Sequence, residues 1–308
     1  MPPFFIEIAV GLLFLYLGAE ILVWSASKIA LKLGISPLVI GIIIIGFGTS
    51  TPELFVALEA IRTNHVEMAI GSIIGSNLFN LGVILSLVLI IRRIPIQGSL
   101  RQLEMPMIIF SSILFWVFLS FNVKSQITGI IFLTLLITFL ILTFKYAEIE
   151  VREVKQEFSN NSFIIALFLA LGSLFALDQG SNFLVKGSLQ VASAFQISES
   201  KIGQTLLAVG TSLPELFVII IALIKKEEEL ALGNIIGSNI FNILGVFGFA
   251  SLFSENKPFD FPHFDYIWMV VLTAILVGAC YAGKETKKIH GLLLIIGYVL
   301  YCLNLQFF

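Results

Sequence analysis

The chain has 308 residues, of which 58% are hydrophobic and 12% charged, and its formal net charge is -2. Its mean hydropathy is +1.02, whereas a soluble globular domain carries about a quarter charged residues, so that class is excluded. Nothing in the distribution of basic residues suggests nucleic acid as a partner.

The first apolar run, 4–26, has no basic n-region and no small-residue cleavage site, so it reads as a retained span rather than a removable signal peptide. Runs at 37–61, 68–91, 104–121 and 126–144 follow. The one extended polar stretch, KYAEIEVREVKQEFSNN from Lys145 to Asn161, comes next. Five more runs lie at 162–190, 199–224, 230–253, 265–282 and 290–306. Runs of ~20 apolar residues cross a ~30 Å hydrocarbon core as helices. The alternation that a membrane β-barrel needs is missing. The expectation is an all-α integral membrane protein with ten transmembrane helices, divided into residues 1–144, a short loop 145–161, and residues 162–308. When loops are assigned to alternate sides, 13 of the 18 Lys and Arg fall on the side of the central loop. The positive-inside rule makes that side cytoplasmic and puts both termini outside. Cys280 and Cys302 lie in apolar context without metal-ligand spacing and read as packing residues.

The chain repeats itself. GTSTPELFV at Gly48–Val56 recurs as GTSLPELFV at Gly210–Val218, and GSIIGSNLFN at Gly71–Asn80 recurs as GNIIGSNIFN at Gly233–Asn242. A single offset of 162 maps both pairs without a gap, and it also places Ile35-Ser36 on Ile197-Ser198 and Gly41 on Gly203. This is an internal duplication. Five spans, an odd number, separate the copies, so the second is expected upside down relative to the first. Inverted repeats are a common plan for secondary transporters, which bind substrate near the midplane where the repeats meet.

Each copy carries a glutamate inside a span, Glu53 or Glu215. A carboxylate in hydrocarbon needs a cation, a proton or a basic partner, and Lys or Arg occur only at the ends of these spans. A protonated glutamate bonded between helices is the bland alternative; the same residue in the same polar motif twice disfavours it. Pro52 and Pro214 lack an N–H and clash with the carbonyls of Gly48 and Gly210. The backbone is therefore expected to unwind, freeing carbonyls around Gly46–Thr49 and Ala208–Thr211 for a cation. Ser50 shares a helical face with Glu53, as Ser212 does with Glu215. Ser72, Ser76 and Asn80 form one stripe, and Asn234, Ser238 and Asn242 another. The accompanying pairs Gly71/Gly75 and Gly233/Gly237 let backbones approach closely, which ordinary helix packing also explains. All these candidate ligands are oxygens, without His or Cys, and hard cations such as Ca²⁺ and Na⁺ prefer that set. Two carboxylates neutralise one Ca²⁺; several Na⁺ could share the same oxygens. Such competition is a physical basis for antiport.

GTSxPE paired with GSNxFN, twice and in inverted halves, resembles the sodium/calcium exchanger family of the cation/calcium antiporter superfamily, in its prokaryotic form without regulatory domains. The resemblance covers essentially the whole chain. It implies a ten-helix fold with four central sites, one for Ca²⁺ and three for Na⁺, and discontinuous helices 2 and 7 at the midplane. By motif, Glu53 and Glu215 would bridge the central sites, and backbone carbonyls of Thr49 and Thr211 would complete the Ca²⁺ shell. Ser50, Ser76 and the Gly46 carbonyl would serve a cytoplasmic-side Na⁺ site; Ser212, Ser238 and the Ala208 carbonyl an external one. Asn80 and Asn242 would line the middle. Alternating access by sliding of the first and sixth helices is also implied. Some relatives carry Asp in place of Asn242, an acid associated with potassium dependence, so the amide weakens any case for K⁺. Ser72 likewise departs from its counterpart Asn234. The loop Lys145–Asn161 is too short for the Ca²⁺-sensing domains of animal exchangers.

Other acids fit less well. Glu20 and Asp178 do not match at offset 162 and suit structural or gating roles. Glu7, Glu59, Glu67 and Glu104 lie near span ends and are expected at the interface, and His65, His263 and His290 form no HExxH. The reading is a Na⁺/Ca²⁺ antiporter in the cell (plasma or inner) membrane, with no enzymatic activity and no cofactor. Its partners are Ca²⁺, Na⁺ and the bilayer, and a monomer is expected. A proton-coupled Ca²⁺/Mn²⁺ exchanger is the nearest rival, since both glutamates could exchange protons; a cation channel is the rival from another class.

Overall fold

The computed structural model describes residues 3–63, 65–96, 100–121, 123, 125–149, 160–194, 209–254 and 263–305. Among them every regular element is a helix, apart from one isolated β-bridge. In chain order the helices are α1 (Pro3–Leu33), α2 (Pro37–Arg62), α3 (Met68–Ile91), α4 (Leu100–Ser120), α5 (Ser125–Ile149), α6 (Asn160–Ala194), α7 (Leu213–Ile224), α8 (Glu228–Phe253), α9 (His263–Tyr281) and α10 (Lys288–Leu305). Eight are long and apolar enough to cross a membrane; α7 and α10 are shorter apolar helices. The start of the expected span 199–224, with Ala208, lies outside the described residues, as do residues 150–159 of the polar loop.

Large apolar side chains cover the outer helix faces: Phe55, Phe168 and Phe175 are 66–70% exposed. Such a surface is expected against lipid and costly against water. The chain is a multi-pass membrane protein. The helix α1 runs seven residues past the expected end at residue 26 and stops at Leu33. Apolarity marks where hydrocarbon ends, not where a helix must. The stop comes at Gly34, whose φ of 68° supplies the left-handed turn, with Ile35 N–H returning to the Ala30 carbonyl at 3.2 Å.

The chain forms two compact units, Met1–Pro52 with Glu150–Asn234 and Glu53–Ile149 with Ile235–Phe308. In the first, α1 and α6 run antiparallel with backbones almost touching. A Cβ on Gly11 would lie 2.7 Å from the Leu184 nitrogen and 2.8 Å from the Gly180 oxygen; one on Gly180 would lie 2.8 Å from the Leu15 nitrogen. Small residues permit this approach where lipid offers no hydrophobic drive between helices. Ser36 caps α2, its hydroxyl accepting from Val39 N–H at 3.4 Å, and Pro37 occupies the first turn. Gly41 then meets the Leu230 carbonyl and Gly233 Cα at 2.7 and 3.0 Å from where its Cβ would be.

In the second unit, Phe247 is held edge-on by Phe115 and Phe132, with centroids at 4.6 and 5.1 Å. The α3–α4 and α9–α10 connections zip together. Ile96 N–H donates to the Lys284 carbonyl and Thr286 N–H to the Ile94 carbonyl, both at 2.9 Å, around a Pro95–Glu285 antiparallel bridge. Arg101 donates to the Cys280 and Gly283 carbonyls, tying α4 to the end of α9. Glu104, expected at the interface, is 1% exposed. The helix α4 begins a turn earlier than its apolar run, at Leu100, and the wide π-helical turn Leu100–Glu104 carries the carboxyl into the unit.

Candidate cation-binding site

Both motif helices are broken at the same point. Ser50 has φ −87° and ψ 9°, and Ser212 φ −89° and ψ 4°, the sparsely populated region beside the α-helical one. Each stands two residues before the proline that removes a ladder hydrogen bond. In α2 the damage is contained: Ser50 N–H still reaches the Gly46 carbonyl at 3.3 Å. The Thr49 hydroxyl donates to the Ile45 carbonyl at 3.0 Å, and the Thr51 hydroxyl to the Phe47 carbonyl at 3.1 Å. The unwinding expected over Gly46–Thr49 is thus corrected to a one-residue break at Ser50, because proline removes only the ladder bond to the Gly48 carbonyl while the Ser50 N–H bond and the Thr49 and Thr51 hydroxyl bonds beside it persist. The Gly46 oxygen also lies 3.5 Å from the Thr49 hydroxyl. Upstream, α2 widens into a π-helical turn at Gly41–Gly46, which the sequence reading did not anticipate.

In the first unit, Glu215 is fully buried and accepts a hydrogen bond from the Ser50 hydroxyl at 3.0 Å. The Thr49 hydroxyl also reaches the Asn234 amide oxygen at 3.1 Å. Each contact joins a residue of the first sequence copy to one of the second. Thr211 is buried, and the buried Ser212 hydroxyl has no hydrogen-bond partner among the described residues.

In the second unit, Glu53 is fully buried and accepts from the Ser76 hydroxyl at 3.4 Å. Ser238 and Asn242 are buried on α8. Asn242 and its repeat counterpart Asn80 each open a π-helical turn, Asn242–Val246 and Asn80–Leu85, a feature frequent at functional sites. Asn80 is 1% exposed, and neither of its amide atoms has a partner among the described residues. Asn242 donates to the Asn77 oxygen at 3.2 Å while its own oxygen has no such partner. Asn77 in turn donates to the Met269 sulfur at 3.6 Å. Asn77 is a candidate residue that the motif stripes passed over; its signal was present, since offset 162 places it on Asn239 in the second GSN.

The buried set is rich in oxygen, and no group of three or more His, Cys, Asp and Glu gathers among the described residues. Carboxylate, hydroxyl and amide oxygens, buried in each unit, are the ligand types that a hard ion prefers. Buried oxygens that lack protein donors suit that purpose, since leaving them unsatisfied is costly.

The sodium/calcium exchanger protein family matches residues 4–145 and again residues 165–306. The chain belongs to this family. The exchanger is 32% identical to inner membrane protein YrbG of Escherichia coli (strain K12), over 95% of this chain and 93% of the relative. It is 29% identical to sodium/calcium exchanger MaX1 of Methanosarcina acetivorans, over 96% of each. Among solved structures, the sodium-calcium exchanger NCX_Mj soaked with zero Na⁺ and Ca²⁺ matches with a TM-score of 0.86 at 29% identity, covering 97% of both chains.

Two acids outside the motifs are engaged elsewhere in this exchanger. Glu20 pairs with Lys225 at 2.6 Å, bracing α1 against the end of α7 within the first unit. Asp178 accepts from Gln179 at 3.0 Å and Asn182 at 3.3 Å along α6.

Proposed function

We propose that this exchanger is an antiporter that moves Ca²⁺ against Na⁺ by alternating access. Two fully buried glutamates at repeat-equivalent positions, each accepting a serine hydroxyl from a GTS or GSN motif, carry the reading. Glu53 and Glu215 are its principal cation ligands. Thr49, Ser50, Ser76, Asn80, Thr211, Ser212, Ser238 and Asn242 supply further oxygens, with the carbonyls of Gly46 and Ala208. Ten transmembrane helices in two inverted five-helix repeats, residues 1–144 and 162–308 joined by a cytoplasmic loop 145–161, would present these motifs at the midplane, with both termini outside and α2 and α7 discontinuous. Support for the duplication comes from the family profile matching twice and from the matched serine conformations at the two breaks. The exchanger acts as a monomer.

The preference for Na⁺ over protons follows from the ligand set. Proton coupling needs only carboxylates, whereas a partly dehydrated Na⁺ needs the hydroxyl and amide oxygens around them. An amide at Asn242 lowers the negative charge of the site, so K⁺ is not required. Because Ca²⁺ and Na⁺ use shared oxygens, occupancy by one load excludes the other, and flux in either direction needs an exchange partner.

The test is ⁴⁵Ca²⁺ uptake into proteoliposomes loaded with Na⁺, against liposomes loaded with K⁺ or choline, at fixed pH. Uptake that requires internal Na⁺ and is lost in Glu53→Gln and Glu215→Gln supports the proposal. Uptake indifferent to Na⁺ but driven by an imposed pH gradient would replace it with proton-coupled exchange, and uptake needing no counter-ion with channel behaviour.

A further inference from the structure

We infer that the exchanger carries a binding site for the phosphate of an anionic phospholipid, on the platform where the α3–α4 and α9–α10 connections join. The platform is fixed by backbone. Besides the two carbonyl-directed bonds of the bridge, Ile94 N–H donates to the Thr286 hydroxyl at 2.9 Å. This pairing brings Arg92 and Arg93, just past the end of α3, to the stretch holding Lys284, Lys287 and Lys288 before and at the start of α10. All five are exposed. Arg93 pairs with Glu285 at 3.2 Å. No ion pair among the described residues reaches Arg92, Lys284, Lys287 or Lys288. Arg101 is occupied beneath them by the Cys280 and Gly283 carbonyls and holds the α9 end in place.

A topological bias alone accounts for basic residues on one side of a membrane protein. It does not require four cations without acidic partners among the described residues on one hydrogen-bonded pair of loops. Their level in the bilayer supplies the ligand. Four apolar helices end or begin at the platform, so the cations sit at headgroup depth. Ile91 and Ile289, next to Arg92 and Lys288 in sequence, and Tyr281, three residues before Lys284, are 53–64% exposed and offer apolar surface to acyl chains. An arginine can grip phosphate oxygens with two N–H groups while lysines add point charges. Basic pockets at the ends of membrane helices bind anionic headgroups in this manner. The platform's positive charge makes it unsuited to Na⁺ or Ca²⁺ and separates it from the transport residues.

The experiment is native mass spectrometry of the purified full-length exchanger titrated with phosphatidylglycerol or phosphatidylcholine of matched chains. Each cation near a headgroup contributes about fivefold in affinity, so retention of phosphatidylglycerol is expected to exceed that of phosphatidylcholine at least about tenfold. The variant R92Q/K284Q/K287Q/K288Q should bring the two lipids to near parity. K28Q/K32Q, which neutralises basic residues at the end of α1, should leave the preference unchanged. Equal retention of both lipids by the unaltered protein overturns the inference, whatever the variants do. So does a preference that survives the fourfold substitution, or displacement of phosphatidylglycerol by millimolar inorganic phosphate, which would make free phosphate the ligand.

Discussion

Replacing Glu215 with glutamine separates the charge of the site from its shape. The Glu215 side chain is fully buried, and its Oε1 accepts the Ser50 hydroxyl at 3.0 Å. A glutamine amide has nearly the same outline, and its oxygen accepts the same bond, though as a neutral pair. A hydrogen bond to a charged group contributes about 1.5–3 kcal/mol and a neutral one about 1, while removing the charge also removes its desolvation cost. The two effects oppose, so folding stability should change by no more than about 1 kcal/mol. Cation binding has no such compensation. Loss of one member of a buried charge pair costs about 2–5 kcal/mol, which at 1.4 kcal/mol per decade is a Ca²⁺ affinity about 30- to 4,000-fold weaker. Calorimetric titration of Ca²⁺ into purified protein, with a melting curve of the same sample, reads both quantities. A Glu215→Gln protein that melts normally and binds Ca²⁺ within about threefold of the original would refute the assignment of charge-based ligation to this residue.

Three further substitutions test other parts of the molecule by thermal unfolding in detergent. Asn77→Leu leaves the Asn242 amide donor without the oxygen it reaches at 3.2 Å, and a loss of about 1–3 kcal/mol is expected; unchanged stability would mean the amide pair contributes nothing. Gly180→Val forces a side chain into a gap where even a Cβ would lie 2.8 Å from the Leu15 nitrogen, with an expected cost of about 1–3 kcal/mol or more. Tolerance of valine there would show that α1 and α6 can part without penalty. Lys225→Met removes a 2.6 Å pair whose side chains are 27% and 41% exposed, so screening should hold the loss to about 1 kcal/mol or less. A deficit several times larger would point to a role for Glu20 beyond bracing.

The sequence shows much of this architecture because membrane helices declare themselves by apolar length. The motifs declare themselves by recurrence. An offset that requires no structure singles out Glu53 and Glu215, but it sets Ser50 beside Glu53, whereas the Ser50 hydroxyl donates to Glu215 and the Ser76 hydroxyl to Glu53. What escapes is whatever depends on a neighbour distant in the chain. Glu104 precedes an apolar run, as interface residues do, and only the early start of α4 buries it. The Thr49 and Thr51 hydroxyls shore up the helix that Pro52 weakens, so glycine and proline spacing overstates the unwinding. Asn77 matched its repeat partner but lay off the stripe read from Ser72, Ser76 and Asn80. Its importance emerges from the side chain it faces, Asn242, 165 residues away.

The seam between α1 and α6 has a mechanical consequence. Gly11 and Gly18 on one helix, and Gly180 and Gly187 on the other, recur at seven-residue intervals and meet backbone atoms across the seam. Displacing one helix by a single turn, about 5.4 Å, would drive leucines such as Leu15 and Leu184 into clearances that admit only hydrogen. A one-turn slip is therefore blocked, and the two rods cannot creep past each other turn by turn. If α1 travels along its axis, α6 goes with it as the other half of the same piston.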